Sequence, residues 1–248
     1  MNSYVVTGGN RGVGRAIAER LASVGHVVVI DREASVPFES DRIDLIVGDA
    51  ADEPAAMQAA AVAEDRGPLV GWVNNAAVFR DASLLSATAR EIVELIMANV
   101  AMTVTGCRVA VDHFRARDRD GAIVNVSSHQ AQRPVMGALP YATAKAAIEG
   151  LTRAVAVDHG HHGIRTNAVA LGSIATDRYD DLRREHPNVD EQMAFLHPIG
   201  RVGTTDEVAG AVMFLLSEEA GFVNGAVVPV DGGRSALGHD PEARPPDR

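Results

Sequence analysis

Lysine is almost missing from this chain. Lys145 stands alone among 23 basic residues, and the other 22 are arginine. Arginine is a planar, permanently charged fork, whereas lysine is a compact, rotatable ammonium whose pKa shifts readily. A single retained lysine marks a place where arginine would not serve. Cysteine is equally scarce. Cys107 is the only one, which excludes an intrachain disulfide. It falls in an apolar helical stretch and reads as a small core residue rather than a nucleophile. An excess of positive charge is also missing. The net charge of −10 argues against non-specific nucleic-acid binding and against docking on an anionic membrane. No apolar run reaches the 18 residues of a membrane span, so no membrane partner is expected. The strand-like pattern begins at Tyr4 and leaves no room for a signal peptide. A reducing cytoplasm fits these absences. No internal repeat is visible. His159, His161 and His162 cluster in D-H-G-H-H-G, where a helix should end. They read as a solvated turn, and no metal site is expected.

What is present is ordinary globular composition, 46% apolar and 23% charged over 248 residues. That length suits one large α/β domain. Short β-branched runs at 4–7, 27–31, 43–48, 69–74, 122–127, 165–170 and 226–230 read as strands. Helical patterns at 14–24, 53–65, 86–115, 141–159 and 205–217 separate most of them. Near-continuous apolar strands between helices indicate a parallel sheet covered on both faces. The gap between Asp31 and Ile43 is short and holds Pro37, so the helix expected there is cut to a turn or lost. The folded domain should span 1–234, and the Pro- and charge-rich residues 235–248 should form a disordered tail.

Lys145 lies four residues after Tyr141, a spacing that puts both on one helix face. A cation beside a phenol favours phenolate, which would draw the tyrosine, whose ordinary pKa is about 10, toward proton transfer near neutral pH. A second pattern lies at the N-terminus. Strand one runs into Thr7-Gly8-Gly9-Asn10-Arg11-Gly12-Val13-Gly14 and then into a helix. Glycines there allow a tight turn and close backbone approach to a pyrophosphate, and the helix N-terminus supplies unpaired N–H groups. Asp31 closes the second strand, seventeen residues after Gly14. Its carboxylate would accept from adenosine ribose hydroxyls and repel a 2′-phosphate, favouring NAD over NADP. Arg11 and Arg32 lie close by and could pair with a 2′-phosphate instead.

With these motifs in order, the chain resembles the short-chain dehydrogenase/reductase family of the small single-domain kind, over almost all of 1–233. The resemblance implies a Rossmann-type doubly wound parallel sheet of about seven strands. Thr7-Gly8-x-x-x-Gly12-x-Gly14 looks like the cofactor loop. Asp49-Ala50 looks like the pair that holds the adenine, and Asn74-Asn75-Ala76-Ala77 resembles the family's N-N-A-G under the cofactor. Asn99 matches the asparagine that holds a relay water. Ser128, thirteen residues before Tyr141, matches the catalytic serine, with Ser127 as its neighbour. The 167–176 stretch, with Gly172, Ser173, Ile174 and Thr176, resembles the segment that grips the nicotinamide. Arg201-x-Gly203 and Val230-Asp231-Gly232-Gly233 resemble the structural C-terminal signature. Departures are Ala77 for glycine, Leu171 for proline and Asn224 for threonine.

The chemistry implied is hydride transfer between NAD(H), with NADP(H) the alternative, and a small-molecule secondary alcohol or ketone. Tyr141 would move the proton, Ser128 would steady the developing charge, Lys145 would lower the Tyr141 pKa and hold the nicotinamide ribose, and Asn99 would connect Lys145 to solvent through water. His129, Gln130, Met136, Leu139, Ser173 and Val78 are the expected substrate contacts. A lid over 177–200 should exclude water, with its charges outward and Met193 and Phe195 inward. A scaffold without turnover, or a reaction through a transient ketone, would share the fold. The resemblance also implies pairing of the two long helices into a homodimer or homotetramer.

Overall fold

The first strand, β1 (Ser3–Thr7), is completely buried, as are all but the last residue of β2 (His26–Asp31). Strands with apolar side chains on both faces need a covering layer on each side. The computed structural model describes residues 1–34, 37–238 and 242. It supplies both layers around seven strands, completed by β3 (Ile43–Val47), β4 (Leu69–Asn74), β5 (Gly121–Ser128), β6 (Ile164–Leu171) and β7 (Val227–Val230). Their order is β3-β2-β1-β4-β5-β6-β7, and every pairing is parallel. The winding direction reverses between β1 and β4, which opens a crevice at the carboxyl ends of those strands.

On one face α1 (Gly12–Ala22) packs with α7 (Thr205–Leu216) around Ile17, Leu21, Val208, Val212 and Leu215. The other face carries α2 (Glu53–Arg66), α3 (Ala89–Ala116) and α4 (Leu139–His159) over Trp72, Phe114, Ile123 and Ile164. Helix boundaries move where a cap decides them. α3 begins three residues later than its apolar pattern suggests. There the Thr88 hydroxyl accepts from the Glu91 amide and the Glu91 carboxylate accepts from the Thr88 amide, a reciprocal capping box. α4 starts two residues early, because Pro140 suits a first turn. Among the described residues α3 alone is long and apolar enough to cross a membrane. It is a layer helix here, with Met102, Cys107, Val109, Ala110 and Phe114 buried.

No helix is assigned between β2 and β3 among the described residues, in line with the short Pro-containing gap. The histidine cluster forms a single 3-10 turn, Gly160–His162, with none of its residues buried. The tail is ordered further than expected. Ser235 donates its amide to Asp231 at 2.8 Å and accepts from Arg133, and Ala236 and Leu237 bond back to Gly233. The turn after β7 therefore runs on through these residues. The remainder of the expected disordered tail, 239–241 and 243–248, lies outside the described residues. The lid is folded as two short helices, α5 (Asp177–Glu185) and α6 (Val189–Leu196). Tyr179 donates to Asp190 at 2.7 Å and Arg183 pairs with the same carboxylate at 2.8 Å, clasping the two helices.

Candidate active site

The glycine loop is held by the segment that follows β4. Thr7 Oγ1 accepts from the Asn75 and Ala76 amides, both at 3.0 Å. Asn75 returns its side-chain N–H groups to the carbonyls of Thr7 (3.0 Å) and Gly8 (2.8 Å). Gly14 has no room for a side chain, because a Cβ there would collide with the Gly8 carbonyl. Gly8 sits at φ +65°, and a Cβ would meet the Ala76 Cα at 2.8 Å. Arg11 precedes α1 in extended conformation without a side-chain cap, which leaves the first helical N–H groups open to an anion. A cavity of about 490 Å³ lies over this loop, lined by Gly8, Arg11, Val13, Gly14, Asp31, Arg32, Ala50, Asn75 and Ala76 among others. Glycines packed without spare room beneath an uncapped helix start fit a dinucleotide, with its pyrophosphate on α1. Gly12 turns away from that cavity and faces Thr176.

At the adenosine end, Asp31 accepts from the Asn10 amide at 3.1 Å and faces the cavity. Arg32 does not stand free. It pairs with Asp49 at 2.7 Å, while the other Asp49 oxygen accepts from the Ala51 amide at 2.9 Å. Asp49, expected to hold the adenine, is engaged with Arg32, and Gly48 and Ala50 on either side of it line the cavity.

A second cavity of about 690 Å³ adjoins the first and shares Val13, Asn75, Ala77 and Phe79 with it. Its lining includes Ser128, Tyr141, Lys145, Gly172, Ser173, Ile174 and Thr176, so β5, α4 and the segment after β6 converge as the motif spacing requires. Ser128 and Tyr141 face the same cavity, and the Ser128 hydroxyl acts on the phenol by lowering its pKa. The neighbouring Ser127 also borders the cavity, but its hydroxyl is engaged with Glu149, to which it donates at 3.0 Å, and this distinguishes the two serines. Gly172 is fixed because a Cβ would meet the Asp231 Cα at 2.8 Å.

Lys145 departs from expectation. It is buried, its Nζ donates to the Val126 carbonyl at 2.7 Å, and it lies 5.4 Å from the Tyr141 ring centroid. Burial drives its pKa down to about 8. Tyr141 is not lowered. Burial raises its pKa, opposed first by the Ser128 hydrogen bond and then by the charge of Arg178. The cation that acts on the phenol comes from the lid, and the lid charges are not all outward. Arg178 sits 3.6 Å above the Phe79 ring centroid, and Phe79 leans on Tyr141 at 4.8 Å.

Asn99 is buried, and its side chain holds a loop. It accepts from the Val78 amide and donates to the Val78 carbonyl, each at 2.9 Å. Asn74 works behind the site, bridging Trp72 (2.9 Å) and Asn125 (2.8 Å). Cys107 is buried beside them, and burial pushes its thiol up to about 12, which suits a core residue.

The substrate side brings together His129, Gln130 and Ser173. Met136 is 99% exposed and off the cavity wall; its neighbour Val135 lines the wall instead. Leu139 is absent from that wall, and Val78 faces the cofactor cavity. Met193 points inward, but Phe195 is 71% exposed. Met136 lies in a turn, where side chains follow no simple period, and the facing of Leu139 and Phe195 is set by how α4 and α6 dock, so none of these directions was readable. Sequence reasoning missed Phe79, Arg178 and Arg234, which also line the site. The position of Arg234 directly after Gly232-Gly233 was the only available hint.

Residues 8–235 match the family model described as enoyl-(acyl carrier protein) reductase. The chain is 37% identical to a 3-oxoacyl-[acyl-carrier-protein] reductase of Mycobacterium tuberculosis, covering 96% of this chain and 94% of the relative. Among solved structures it is similar to the aldohexose dehydrogenase of Thermoplasma acidophilum, at 30% identity and TM-score 0.87, covering 98% and 97% of the two chains. A putative 2-deoxy-D-gluconate 3-dehydrogenase of Agrobacterium tumefaciens, solved with bound NADP, matches at 29% identity and TM-score 0.83, covering 95% and 97%.

Proposed function

The chain belongs to the short-chain dehydrogenase/reductase family and is an oxidoreductase of CH–OH groups, and on that premise we propose that it uses NAD(H) to interconvert a secondary alcohol and a ketone by way of Ser128, Tyr141 and Lys145. One observation carries this reading. Ser128, Tyr141 and Lys145 line one cavity, and that cavity adjoins the glycine-loop cavity.

The nicotinamide ring, when bound, supplies or takes up the hydride. Tyr141 donates its proton to a carbonyl oxygen in reduction and accepts one from an alcohol in oxidation. Ser128 donates to the same oxygen as charge builds on it. Lys145 places a buried ammonium near Tyr141 on the wall of the same cavity, where it would hold the nicotinamide ribose. Gly172, Ile174 and Thr176 form the wall on which the nicotinamide would rest. Asn99 holds Val78 and so shapes the rim between the cavities. The folded lid helices restrict water above the pair.

Asp31 supports NAD, since its carboxylate faces the ribose end and Arg32 is already paired with Asp49. NADP is the second reading. Arg11 also lines that end, and the Agrobacterium relative was solved with NADP. Thermal unfolding with NADH or NADPH at matched concentration decides between them. A ligand that binds only the native state raises stability by RT ln(1 + [L]/Kd). A larger shift with NADH supports the reading, and a larger shift with NADPH replaces it with the second.

We further propose a cytoplasmic homotetramer or homodimer. Val93, Met97 and Val104 on α3 and Val157 on α4 are exposed apolar residues, as expected of a helix pair that a second copy would cover. A monomeric mass in light scattering would rule this out.

A further inference from the structure

Arg234 reaches the substrate cavity from the turn after β7. It is partly buried, and its Nη1 donates to the Ser173 hydroxyl at 2.7 Å. Among the described residues no carboxylate lies within ion-pair distance of it. Asp231 is the nearest acid, but its oxygens accept from the amides of Gly233 (2.9 Å) and Ser235 (2.8 Å). It acts on Arg234 only through space. A guanidinium drawn even partly out of water without a paired anion is costly to maintain.

Two residues that line the same cavity, His129 and Gln130, each carry a buried polar atom, Nδ1 and Oε1, without a hydrogen-bond partner among the described residues. His129 is held neutral by burial and by the charge of Arg234, with its pKa pushed down to about 4. A neutral imidazole offers one N–H donor, and a side-chain amide can present N–H groups after a flip. Buried polar groups normally find partners, so these side chains hold hydrogen-bonding capacity that a ligand in the cavity would draw on as they turn toward it.

The sign of that ligand follows from the distribution of charge. Arg234 and Ser173 line the cavity together with Ser128 and Tyr141, while Arg178 on the same wall is exposed to solvent. The acids on the wall, Asp81, Asp181 and Glu185, are all exposed, and Asp181 already pairs with Arg184. Solvent screens such exposed charges. The inner end of the cavity is therefore cationic, with a free guanidinium edge that suits a carboxylate, which arginine grips in two-point fashion.

We propose that the substrate is a carboxylate-bearing secondary alcohol or ketone, anchored by Arg234 together with Ser173 and His129. This rests on the oxidoreductase reading of the same site and adds the substrate class to it. In reduction the hydride goes from the nicotinamide to the carbonyl carbon, and the proton goes from Tyr141 to its oxygen. The carboxylate is unchanged.

The test compares oxo acids with their methyl esters, which keep the ketone and remove the charge. Acetoacetate and 4-oxopentanoate are assayed against methyl acetoacetate and methyl 4-oxopentanoate, with NADH and NADPH, on the full chain. The acids should exceed the esters in kcat/KM by roughly 30-fold, the scale of a lost charged hydrogen-bonded pair. Arg234→Gln should erase the preference by slowing the acids while leaving the esters within about 3-fold, and Arg234→Lys should restore part of it. The nicotinamide thermal shift should be unchanged in both variants. Equal rates for acid and ester, or equal losses on both in Arg234→Gln, would overturn the proposal. If none of these ketones turns over, the same comparison is made by the added thermal shift of each acid and ester on the NADH complex, and a shift no larger for acids than for esters overturns it. Absence of any nicotinamide shift would instead defeat the oxidoreductase reading, which keeps the two failures separate.

Discussion

The Arg178 guanidinium lies 3.6 Å from the centroid of the Phe79 ring. A stacked cation of this kind contributes about 0.5–1 kcal/mol at an exposed site, enough to bias where the first lid helix rests. Because Phe79 also leans on Tyr141, the stack puts a lid charge beside the proton-transfer group. Lid position and phenol acidity are thereby coupled.

Arg178→Ala should raise the Tyr141 pKa, since the arginine charge opposes the rise caused by burial. Alcohol oxidation requires the phenolate. The ascending limb of its kcat/KM profile, set by loss of the phenol proton, should move to higher pH, and the rate at pH 7 should fall about tenfold for every whole pH step by which the limb moves. The pH–rate profile measures this, and an unmoved limb would remove Arg178 from the proton-transfer chemistry.

Tyr141→Phe should cost about 10²–10⁴ in turnover, the usual worth of a positioned acid or base. The NADH-induced thermal shift should survive, because the glycine loop and Asp31 are untouched. Turnover within a few-fold of the parent protein would overturn the mechanism.

Lys145→Met separates function from stability. The folded pKa of Lys145 is depressed to about 8, well below its ordinary value of 10.5. The unfolded chain therefore binds more protons between those values. The penalty of burying the charge is complete below about pH 8 and fades as pH rises toward 10.5. At pH 7 the variant should be no less stable than the parent, and the parent should gain on it between pH 8 and 10.5, while activity falls. Urea unfolding across that range supplies the readout; a variant markedly less stable at pH 7 would show that the Val126 bond outweighs the burial penalty.

The Arg32–Asp49 pair bears on cofactor choice. Asp49→Ala should free Arg32 for a 2′-phosphate and move preference toward NADPH. Asp31→Ala should weaken NAD(H) more than NADP(H). Titrating both variants with each cofactor checks these changes, and parallel losses for both cofactors would set Asp31 aside as the discriminating group.

Glu64 binds α2 to the α3 terminus and β4. It accepts from Arg119 (2.8 Å), from the Leu69 amide (3.0 Å), and pairs with His113 (2.9 Å). Its folded pKa lies far below the ordinary carboxylate value. That stability is present above the unfolded pKa and is lost as pH falls. Glu64→Gln should cost roughly 1–3 kcal/mol at pH 7, with the gap narrowing in acid. A denaturant titration at pH 7 and at low pH would show it.

The sequence determined the strand and helix order, the glycine loop, Asp31, and the Ser128, Tyr141 and Lys145 constellation. Those features are local. Apolar periodicity specifies an element, a glycine that must pack against backbone is recorded as a glycine, and a four-residue step on a helix fixes a shared face. Tertiary structure alone decided which charges those groups feel. Arg178 comes from the lid and Arg234 from the turn after β7, while Asp49 turned out to be tied to Arg32 and Val135 to replace Met136 on the wall. These outcomes depend on where distant loops meet and which way their side chains face, and no spacing along the chain encodes that direction.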